Sequence, residues 1–445
     1  MLSTLPETYQ FETCDDVLSS NVGAMGLAGT CRHHNLLKWS DDTLPSYQSN
    51  RAYAPHQYLF TWMASRLQGG VNLEDSRSIS EDEGLINWLQ AKGFPAPNTL
   101  GDWLAEATWM DVHRLRTKTR EIVCEQLNHR GVLDLHVDID AKVHESQRSN
   151  AKRTYDGRTG DCPLYVTLPE QKLLWDGLFR EGDCVPKQHL ASMVRTTLRT
   201  LPETLHRTRF TLDAAAWQVD VVGAFQQANQ SEDRPRVHYY IRPARVSTDP
   251  SNRVQSTLDG LEDEDWVPYG DEFEWEIADT NLTVANPEGS YNSRCVIVRK
   301  PVHSNSEQQD LFPEYRYYTV ATNDYESTAR EVYEQYNKRG AAEDVIGELV
   351  EDGDGGRFPV HHPPGNGLLL GLNGLTHNCS QSMKEHALPE SWESLTLNSL
   401  RSRLFGMAVR IVTHARQLIV KISRYHPWSD TLGPFLRGCW NPNPI

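Results

Sequence analysis

The sequence predicts an α/β protein, and two observations support this fold class. Apolar and polar residues alternate between residues 133 and 140, and the period of two is that of a β-strand. Downstream, strand-like and helix-like runs succeed one another, which is typical of helices layered on a sheet. Open sheets of this kind generally place their functional sites at strand ends, where this chain has acidic residues.

The elements follow in order. Residues 1–130 have helical spacing and predict a helical N-terminal region, for which the family resemblance described below implies DNA binding. Residues 131–243 predict the first part of a catalytic core. Its expected elements are a strand at 133–140, strands at 163–168 and 172–179, a helix at 188–201, a strand at 207–212, a helix at 219–228 and a strand at 237–241.

Residues 244–324 predict a β-rich insertion, with strands at 273–277, 295–298 and 315–321. Residues 325–445 predict the last helix of the core and a helical C-terminal region. Helices are expected at 328–336 and 341–349, with a bend or break at Gly340, followed by a Gly-, Asp- and Pro-rich loop over 353–367. The final expected helix, 400–423, is basic and amphipathic and carries Arg401, Arg403, Arg410 and Arg416.

Composition limits the class of protein. A chain of 445 residues is long enough for two or three domains, and it has neither a membrane-spanning apolar run nor a signal-peptide pattern. The eight cysteines are scattered without a Cys-x-x-Cys pair, which is typical of reduced thiols. A cytoplasmic protein is therefore expected.

The formal charge of -16 argues against nucleic-acid binding, because proteins that bind DNA usually present a basic surface. Much of the acid is concentrated in two blocks, residues 258–276 and 343–354. Local basic faces are therefore compatible with the composition.

Acidic residues from distant parts of the sequence suggest a shared metal site. Asp140 and Asp213 end predicted strands, and Glu343 lies on a predicted helix. Converging carboxylates can hold the pair of divalent cations that activates a nucleophile and stabilises a leaving oxygen in phosphodiester chemistry. This pattern is typical of nucleases and DNA transposases.

Tyr336, Arg339 and Glu343 have the spacing i, i+3 and i+7, which places them on one face of a continuous helix. The glutamate can bind metal, the arginine can clamp a phosphate, and the tyrosine can contact a phosphate or a base. The alternative is a surface triple that only stabilises the helix. Asp138 shares a strand face with Asp140, so strand geometry leaves both open as the first metal ligand.

Several segments together resemble the insertion-sequence 1380 family of DDE transposases, over most of the chain. The similarity implies an RNase H-like, integrase-like mixed-sheet catalytic core. The segments are residues 68–75, 97–100, 137–141, 155–164, 317–323, 336–343 and 400–416.

The resemblance implies roles for individual residues. Asp140, Asp213 and Glu343 would bind two Mg²⁺ ions, with Mn²⁺ as a substitute, and Asp140 is favoured over Asp138 because the family motif places a small residue after the acid. Tyr336 and Arg339 would grip the transposon-end DNA. The other expected DNA contacts are Lys142, Arg401, Arg403, Arg410 and Arg416.

The resemblance also implies an activity and partners. The protein would bind the terminal inverted repeats of an insertion sequence, cleave the strands and transfer the 3′-hydroxyl ends to target DNA. Its partners would be double-stranded DNA and a second copy of the chain in a synaptic homodimer. It would act on the nucleoid in a prokaryotic cytoplasm.

Three positions depart from the family pattern: Lys142 replaces a threonine, Ala214 follows the second acid instead of a serine-like residue, and Val350 replaces a lysine. These departures favour an alternative, a catalytically decayed copy that binds the DNA ends as a repressor. The acidic charge and the many Trp and Tyr residues suggest a further alternative, a carboxylate-pair glycoside hydrolase.

Overall fold

The computed structural model describes residues 12–47, 49, 52–230, 236–243, 254–270, 274–302, 315–352, 355–415 and 417–441. Its helices are α1 (Val22–His33), α2 (Leu36–Thr43), α3 (Pro55–Leu67), α4 (Arg77–Ser80), α5 (Glu83–Leu89), α6 (Pro97–Ala105), α7 (Trp109–His129), α8 (Leu190–Thr200), α9 (Val219–Ala228), α10 (Val254–Asp259), α11 (Ala329–Asn337), α12 (Gly340–Gly347), α13 (Pro363–Ala387), α14 (Leu397–Leu400) and α15 (Ser429–Trp440). Its strands are β1 (Leu18–Ser19), β2 (Asp134–Ala141), β3 (His144–Glu145), β4 (Lys152–Arg153), β5 (Thr159–Asp161), β6 (Leu164–Leu168), β7 (Leu173–Leu178), β8 (Arg207–Leu212), β9 (Arg236–Ile241), β10 (Val267–Pro268), β11 (Glu276–Asn286), β12 (Gly289–Pro301), β13 (Tyr315–Thr322), β14 (Val409–His414) and β15 (Gln417–Lys421). No helix within these ranges is both long enough and apolar enough to cross a membrane.

The described residues form two compact units. The first contains the residues up to 41, residues 46–100 and those from 383 onward, and the second contains residues 42–45 and 101–382. In the first unit α1 is buried along most of its length. Gly26 is needed there because a Cβ at this position would lie 2.5 Å from the ring of Phe435 on α15. The first unit therefore depends on close packing between α1 and α15.

The prediction of a basic helix over residues 400–423 is wrong. After α14 the chain makes a short π-helical turn, Arg401–Phe405, and then forms the antiparallel pair β14 and β15, with β1 on the other side of β14. The segment after Gly406 is rich in β-branched Val, Ile and Thr, which pack well on a pleated surface. Arg410 lies on β14, whereas Arg416 lies outside the described residues.

The sheet of the second unit has an RNase H-like core, which confirms the predicted fold class. Its strand order is β7-β6-β2-β8-β9. Strands β2, β8 and β9 are parallel, and β6 is antiparallel to both β2 and β7. The predicted strand at 207–212 and the helix at 219–228 match β8 and α9 in full.

The two faces of this sheet differ in chemistry. Leu135, Val137 and Ile139 of β2 pack on one face in a buried cluster that includes residues of α8 and α9. On the other face α11 covers one side through Tyr336 and its neighbours, and α12 and α13 cover β6 and β7. The polar residues of β2 lie on this second face, which we call the polar face.

The predicted β-rich insertion is part of the same sheet. Strand β13 pairs with β9 through the match of Ala321 with Ile241, and β12, β11 and β10 follow in order. β11 and β12 are longer than the short strands expected from the sequence, and Phe273, the first residue of one expected strand, lies outside the described residues.

The expected loop at 353–367 ends earlier than predicted, because α13 begins at Pro363. Residues 353 and 354 lie outside the described ranges. A proline suits the first turn of a helix, where its missing N–H leaves no hydrogen bond unmade. Leu368, Leu370 and Leu375 of α13 are fully buried. The apolar run 368–375 is thus the centre of a core helix.

A buried ion pair joins α7 to β7. The side chain of Asp176 is fully buried, and both its oxygens accept hydrogen bonds from arginines of α7. Arg116 donates through Nε at 2.6 Å and through Nη2 at 2.9 Å, and Arg120 donates through Nη1 at 2.6 Å. Because the charges are shielded from water, each partner depends on the other.

We expect Asp176→Ala to lower the free energy of unfolding by about 3–5 kcal/mol, because it leaves two largely buried guanidinium groups without their counter-ion. Urea unfolding followed by circular dichroism measures the change. The control is Glu334→Ala, which removes an exposed partner of Arg330 and should change stability by less than about 0.5 kcal/mol. If the two substitutions changed the free energy of unfolding equally, the buried ion pair of Asp176 would not have the stabilising role assigned to it.

A second prediction concerns pH. Burial, together with the nearby charges of Lys142 and Arg158, lowers the pKa of His144 from its ordinary 6.5 to about 4. As pH falls through this window the unfolded chain binds a proton that the folded protein does not, so the free energy of unfolding decreases. His144→Gln keeps a partner for the Tyr165 hydroxyl, which lies 2.8 Å from Nε2.

Between pH 7 and pH 4.5, the decrease in the free energy of unfolding should be smaller in His144→Gln than in the natural protein, by roughly 1–3 kcal/mol. Urea unfolding at the two pH values measures this difference. The exposed His206 provides the matched control, His206→Gln, which should leave the pH dependence unchanged. If His144→Gln showed the same pH dependence of stability as the natural protein, His144 would not be a cause of that dependence.

Candidate active site

The polar face of the sheet brings three aspartates together. Asp138 and Asp140 lie on β2, and Asp213 follows the last residue of the adjacent parallel strand β8. Ile139 is in register with Leu212, so Asp140 and Asp213 are the next residues at the same edge of the sheet. Neighbouring strands are only about 4.8 Å apart. The parallel pairing therefore places two carboxylates side by side.

Asp138 is the most buried of the three, with 1% of its surface exposed. Its Oδ1 accepts a hydrogen bond of 2.6 Å from the hydroxyl of Thr211 on β8, and that hydroxyl lies 2.9 Å from Nε2 of His136. The other oxygen, Oδ2, is buried and makes no hydrogen bond within the described part of the chain. This oxygen is therefore an unsatisfied acceptor in the interior of the second unit.

Arg339 supplies the positive charge at this site. It lies between α11 and α12, with Nε 3.2 Å from Oδ1 of Asp138 and Nη2 2.8 Å from Oδ1 of Asp140. Burial opposes the charge of the guanidinium, but the carboxylates of Asp138 and Asp140 outweigh this effect and raise the pKa of Arg339. The arginine therefore stays charged and bridges the two aspartates.

The crowding of acids shifts their ionisation. Burial raises the pKa of Asp138 to about 7, although Arg339 and the Thr211 hydroxyl favour its charged form. Burial also raises the pKa of Asp213, and the charge of Asp140 raises it further. A divalent cation would favour the charged forms of all three groups.

The backbone after β8 orients Asp213. Its carboxylate accepts a hydrogen bond of 3.0 Å from the N–H of Ala215 and thereby caps the short 3₁₀ turn Ala214–Ala216. This hydrogen bond, donated by the first turn of the helix-like segment, holds the side chain in place. The alanines after Asp213, which depart from the family pattern, thus still support the carboxylate through the main chain.

Glu343 does not join the aspartates. It is exposed on α12 and makes no hydrogen bond or ion pair to another described residue. Across the described ranges, no group of three or more His, Cys, Asp or Glu residues is arranged to hold a metal ion. The expected convergence of Asp140, Asp213 and Glu343 is therefore incomplete: two of the three are adjacent, and Asp138 lies beside them.

Tyr336 and Lys142 differ in their positions. The side chain of Tyr336 is 93% buried in the apolar cluster beneath α11, so its ring is part of the core in this conformation. Burial raises the pKa of its hydroxyl, and the Asp138 and Asp213 charges act in the same direction. Lys142 follows β2 and is partly exposed at the same edge as the acids.

The C-terminal arginines lie in the first unit. Arg401 donates hydrogen bonds to the backbone oxygens of Leu67 and Arg66, at 2.8 and 2.7 Å, and therefore has a structural role here. Arg403 lies over the rings of Trp392 and Trp428. Arg410 pairs with Asp16 at 2.6 Å, and both side chains are largely exposed.

The donor atoms suit a hard divalent cation. Carboxylate oxygens are the ligands that Mg²⁺ prefers, and Asp140 and Asp213 supply them side by side. The guanidinium of Arg339 lies where it compensates the charges of Asp138 and Asp140. The chemistry of the two adjacent carboxylates therefore fits Mg²⁺, whereas a third acidic ligand is not in place within the described ranges.

Sequence reasoning missed the residues that support the aspartates. Thr211 and Arg209 alternate along β8 with buried apolar residues, so the period of two could have placed them on the face of Asp213. Arg209 donates hydrogen bonds to Asp134 and to Gln335 of α11.

Comparisons with known proteins give one family. Residues 15–437 match the family described as transposase DDE domain group 1. Among solved structures, the chain is similar to the piggyBac transposase in a cryo-EM structure of its synaptic complex with hairpin DNA, at 12% sequence identity over 87% of this chain and 79% of that chain, with a TM-score of 0.41. A likeness this weak identifies no function. No curated protein sequence matches the chain.

We expect Arg339→Met to destabilise the protein in EDTA by roughly 1–3 kcal/mol, because Asp138 and Asp140 lose their buried counter-ion. Saturating Mg²⁺ should then raise the melting temperature more in Arg339→Met than in the natural protein, since a cation replaces the missing charge. Thermal unfolding with and without Mg²⁺ measures both effects.

The control for this experiment is Lys338→Met, which removes the exposed neighbouring charge. It should leave both the stability in EDTA and the response to Mg²⁺ unchanged. Equal stabilisation of the two variants by Mg²⁺ would show that Arg339 does not compensate the carboxylates.

Proposed function

The chain belongs to the transposase DDE domain group 1 family, and from that premise we propose that it is a DNA transposase that binds the terminal inverted repeats of an insertion sequence. It catalyses metal-dependent strand cleavage and strand transfer in cut-and-paste transposition. The observation that supports this proposal best is the side-by-side placement of Asp140 and Asp213 at the ends of adjacent parallel strands.

In the proposed site Asp140 and Asp213 hold Mg²⁺, and Mn²⁺ can replace it. When bound, the divalent ions supply activation of the attacking water and charge stabilisation at the leaving oxygen. Asp138 contributes a further negative charge from its buried position, where Thr211 holds one of its oxygens. The three carboxylates require cations to stay ionised together.

The bond changes in the proposed reaction balance without a covalent protein intermediate. The oxygen of a water molecule adds to the phosphorus at the transposon end, and the bond from phosphorus to the 3′ oxygen breaks. The proton lost by the water goes to solvent, and the departing oxygen takes a proton from solvent and becomes a 3′-hydroxyl. That hydroxyl then attacks a phosphorus in the opposite strand during excision, and the bond from this phosphorus to the flanking strand's 3′ oxygen breaks. A second water hydrolyses the new bond and restores the 3′-hydroxyl, which later attacks a phosphorus in the target DNA and displaces a target 3′ oxygen.

Arg339 has a second role in this proposal. Its guanidinium presents several N–H donors in a fixed plane, which matches a phosphate group as well as a carboxylate. With a metal ion compensating the aspartates, Arg339 would be available to grip the DNA backbone. Tyr336, three residues earlier on α11, is a further proposed DNA contact, and its ring lies in the apolar cluster in this conformation.

Glu343 is the proposed third metal ligand. Its carboxylate makes no described contact, and α12 starts after a break from α11 between Lys338 and Gly340. Bringing Glu343 to Asp140 and Asp213 is the conformational change that this mechanism requires. Lys142, beside Asp140, is a proposed phosphate contact.

The finer assignments are also proposals. The run from Tyr336 to Glu343 supports placement in the insertion-sequence 1380 branch, whose members act on double-stranded DNA in prokaryotic cells. Synapsis of two transposon ends implies a homodimer. Arg403 and Arg410 are proposed DNA contacts of the first unit, and Arg401 and Arg416 stay in this set only as sequence expectations.

A second candidate function is a catalytically decayed copy that binds the DNA ends as a repressor. Val350, where a lysine was expected, packs against the apolar cluster of Tyr165, Ile346 and Phe358. A valine at this position lacks the charge with which a lysine would contact a phosphate, and the exposed Glu343 leaves the acidic set incomplete. The family membership lends no support to a glycoside hydrolase.

We expect the protein to cut a labelled duplex carrying the gene's own flanking DNA at a discrete position when Mg²⁺ or Mn²⁺ is present. Asp140→Asn, Asp213→Asn and Glu343→Gln should each reduce the cleavage rate by more than about 100-fold, because even outer-shell partners of a metal cost 10–100-fold. Denaturing gel electrophoresis measures the products, and filter binding measures retention of DNA.

The matched control is Asp134→Asn, which changes an acid on the same strand that pairs with Arg207 and Arg209 instead. Asp138→Asn tests the competing first ligand. Binding without cutting by the natural protein would favour the repressor, and absence of both binding and cutting would overturn the transposase proposal.

A further inference from the structure

The strands β12 and β13 project beyond the edge of the core sheet at which the aspartates lie. Strand β9 ends at Ile241, which is level with Ala321 of β13. Residues 315–320 continue past that level, a distance of about 20 Å at about 3.4 Å per residue. These strands therefore form an arm above the end of β9 and beside the acidic site.

One face of this arm is the polar face of the core sheet. Lys300 and Arg316 are cross-strand partners, so their side chains lie on the same face. Tyr318 follows two residues after Arg316, and it packs with Trp275 against the cluster that contains Tyr336. Arg242, directly after β9, lies at the foot of the arm. We call Arg242, Trp275, Lys300, Arg316 and Tyr318 the arm surface.

Aromatic rings hold two of the three cations of the arm surface in place. Nζ of Lys300 lies 3.2 Å from the ring centre of Trp275 and 4.7 Å from that of Tyr318. The guanidinium of Arg242 lies 4.8 Å from the ring centre of Tyr318. Such contacts orient a cation without neutralising it. Burial lowers the pKa of Lys300, and the nearby charge of Arg242 acts in the same direction.

The arm surface has no acidic compensation within the described residues: Arg242, Lys300 and Arg316 form no ion pair there. The opposite face of the arm differs. Arg299, the residue before Lys300, pairs with Glu276 at 2.5 Å and with Asp263 at 3.8 Å. In a chain with a charge of -16, three uncompensated cations on one face are a local exception that complements an anionic partner.

The register of the core strands connects this surface to the acidic site. Ile139, Leu212 and Ile241 are aligned across β2, β8 and β9, so the next residue of each strand falls in one row. That row is Asp140, Asp213 and Arg242. With strands about 4.8 Å apart, Arg242 lies roughly 10 Å from Asp140 along the sheet edge. A phosphodiester at the aspartates thus has its neighbouring phosphates within reach of the arm.

We propose that the arm surface binds backbone phosphates of the duplex DNA that enters the acidic site. The inference rests on the proposed function, and it adds a docking surface for the DNA on the β-rich part of the sheet. Arg242 and Arg316 grip phosphates through their guanidinium groups, and Lys300 acts as a fixed point charge between them. Trp275 and Tyr318 position these charges.

The test is DNA binding by the full chain as a function of salt concentration. Arg242→Gln, Lys300→Gln and Arg316→Gln are compared with the natural protein on the flanking-DNA duplex and on an unrelated duplex, by fluorescence anisotropy with Mg²⁺ replaced by EDTA. Each substitution should weaken binding to both duplexes alike and reduce the slope of log Kobs against log salt by about 1. In the triple variant the magnitude of this slope should be smaller than in the natural protein by about 3.

The matched control is Arg199→Gln, which removes an exposed charge from α8 on the other face of the sheet and should change neither affinity nor slope. Thermal unfolding verifies that the variants are folded. Because the side chain of Arg316 is exposed, Arg316→Gln should not disturb the fold, so this variant by itself is sufficient for the test. Natural protein that binds DNA with an unchanged slope in all three variants would overturn the arm surface alone. Natural protein that binds neither duplex would instead refute the proposed function, and the arm surface with it.

Discussion

The concentration of negative charge at the ends of β2 and β8 is the constraint on which the arrangement of the second unit depends. Parallel pairing places Asp140 beside Asp213, and strand alternation puts Asp138 on the same face. Adjacent carboxylates repel one another, and burial adds to the cost of their charge. The fold offsets this with a guanidinium from Arg339 and a hydroxyl from Thr211.

The need to compensate these carboxylates is also consistent with the break in the chain between α11 and α12. Tyr336 anchors the end of α11 in the apolar cluster, and the chain then breaks so that Arg339 can reach two aspartates at once. The break leaves Glu343 exposed on the next helix. In this structure the guanidinium of Arg339 compensates the aspartates. The proposed activity requires a divalent metal ion to take over that role.

The net acidic charge of the sequence does not describe how charge is distributed over the surface of the folded protein. Net charge describes long-range behaviour, whereas binding depends on the charges that share a face. Many basic residues of this chain are paired, as Arg116 and Arg120 are with Asp176. Arg242, Lys300 and Arg316, by contrast, form no pair within the described ranges, and they lie at the edge that holds Asp140 and Asp213. An acidic protein can in this way present a local basic surface to DNA.

The sequence by itself determined the local elements of the core, because their signals lie in short-range periodicity. The alternation along 133–140 identified β2 and its polar face, and the ends of β8 and α9 followed from the same kind of pattern. The acids at the strand ends could be singled out for the same reason. Their adjacency in space followed only from the pairing of β2 with β8.

Only the tertiary structure decided which partner each polar residue has. Arg339 bridges Asp138 and Asp140, Tyr336 lies in the core, and Arg401 donates hydrogen bonds to backbone oxygens. Neither the helical spacing nor the family resemblance indicated these partners. The segment 400–423 formed strands instead of a helix because its β-branched residues pair with β1, which is almost 400 residues away in the chain. Contacts between residues so distant in sequence leave no periodic signal, so they are decided by packing and charge in the folded chain.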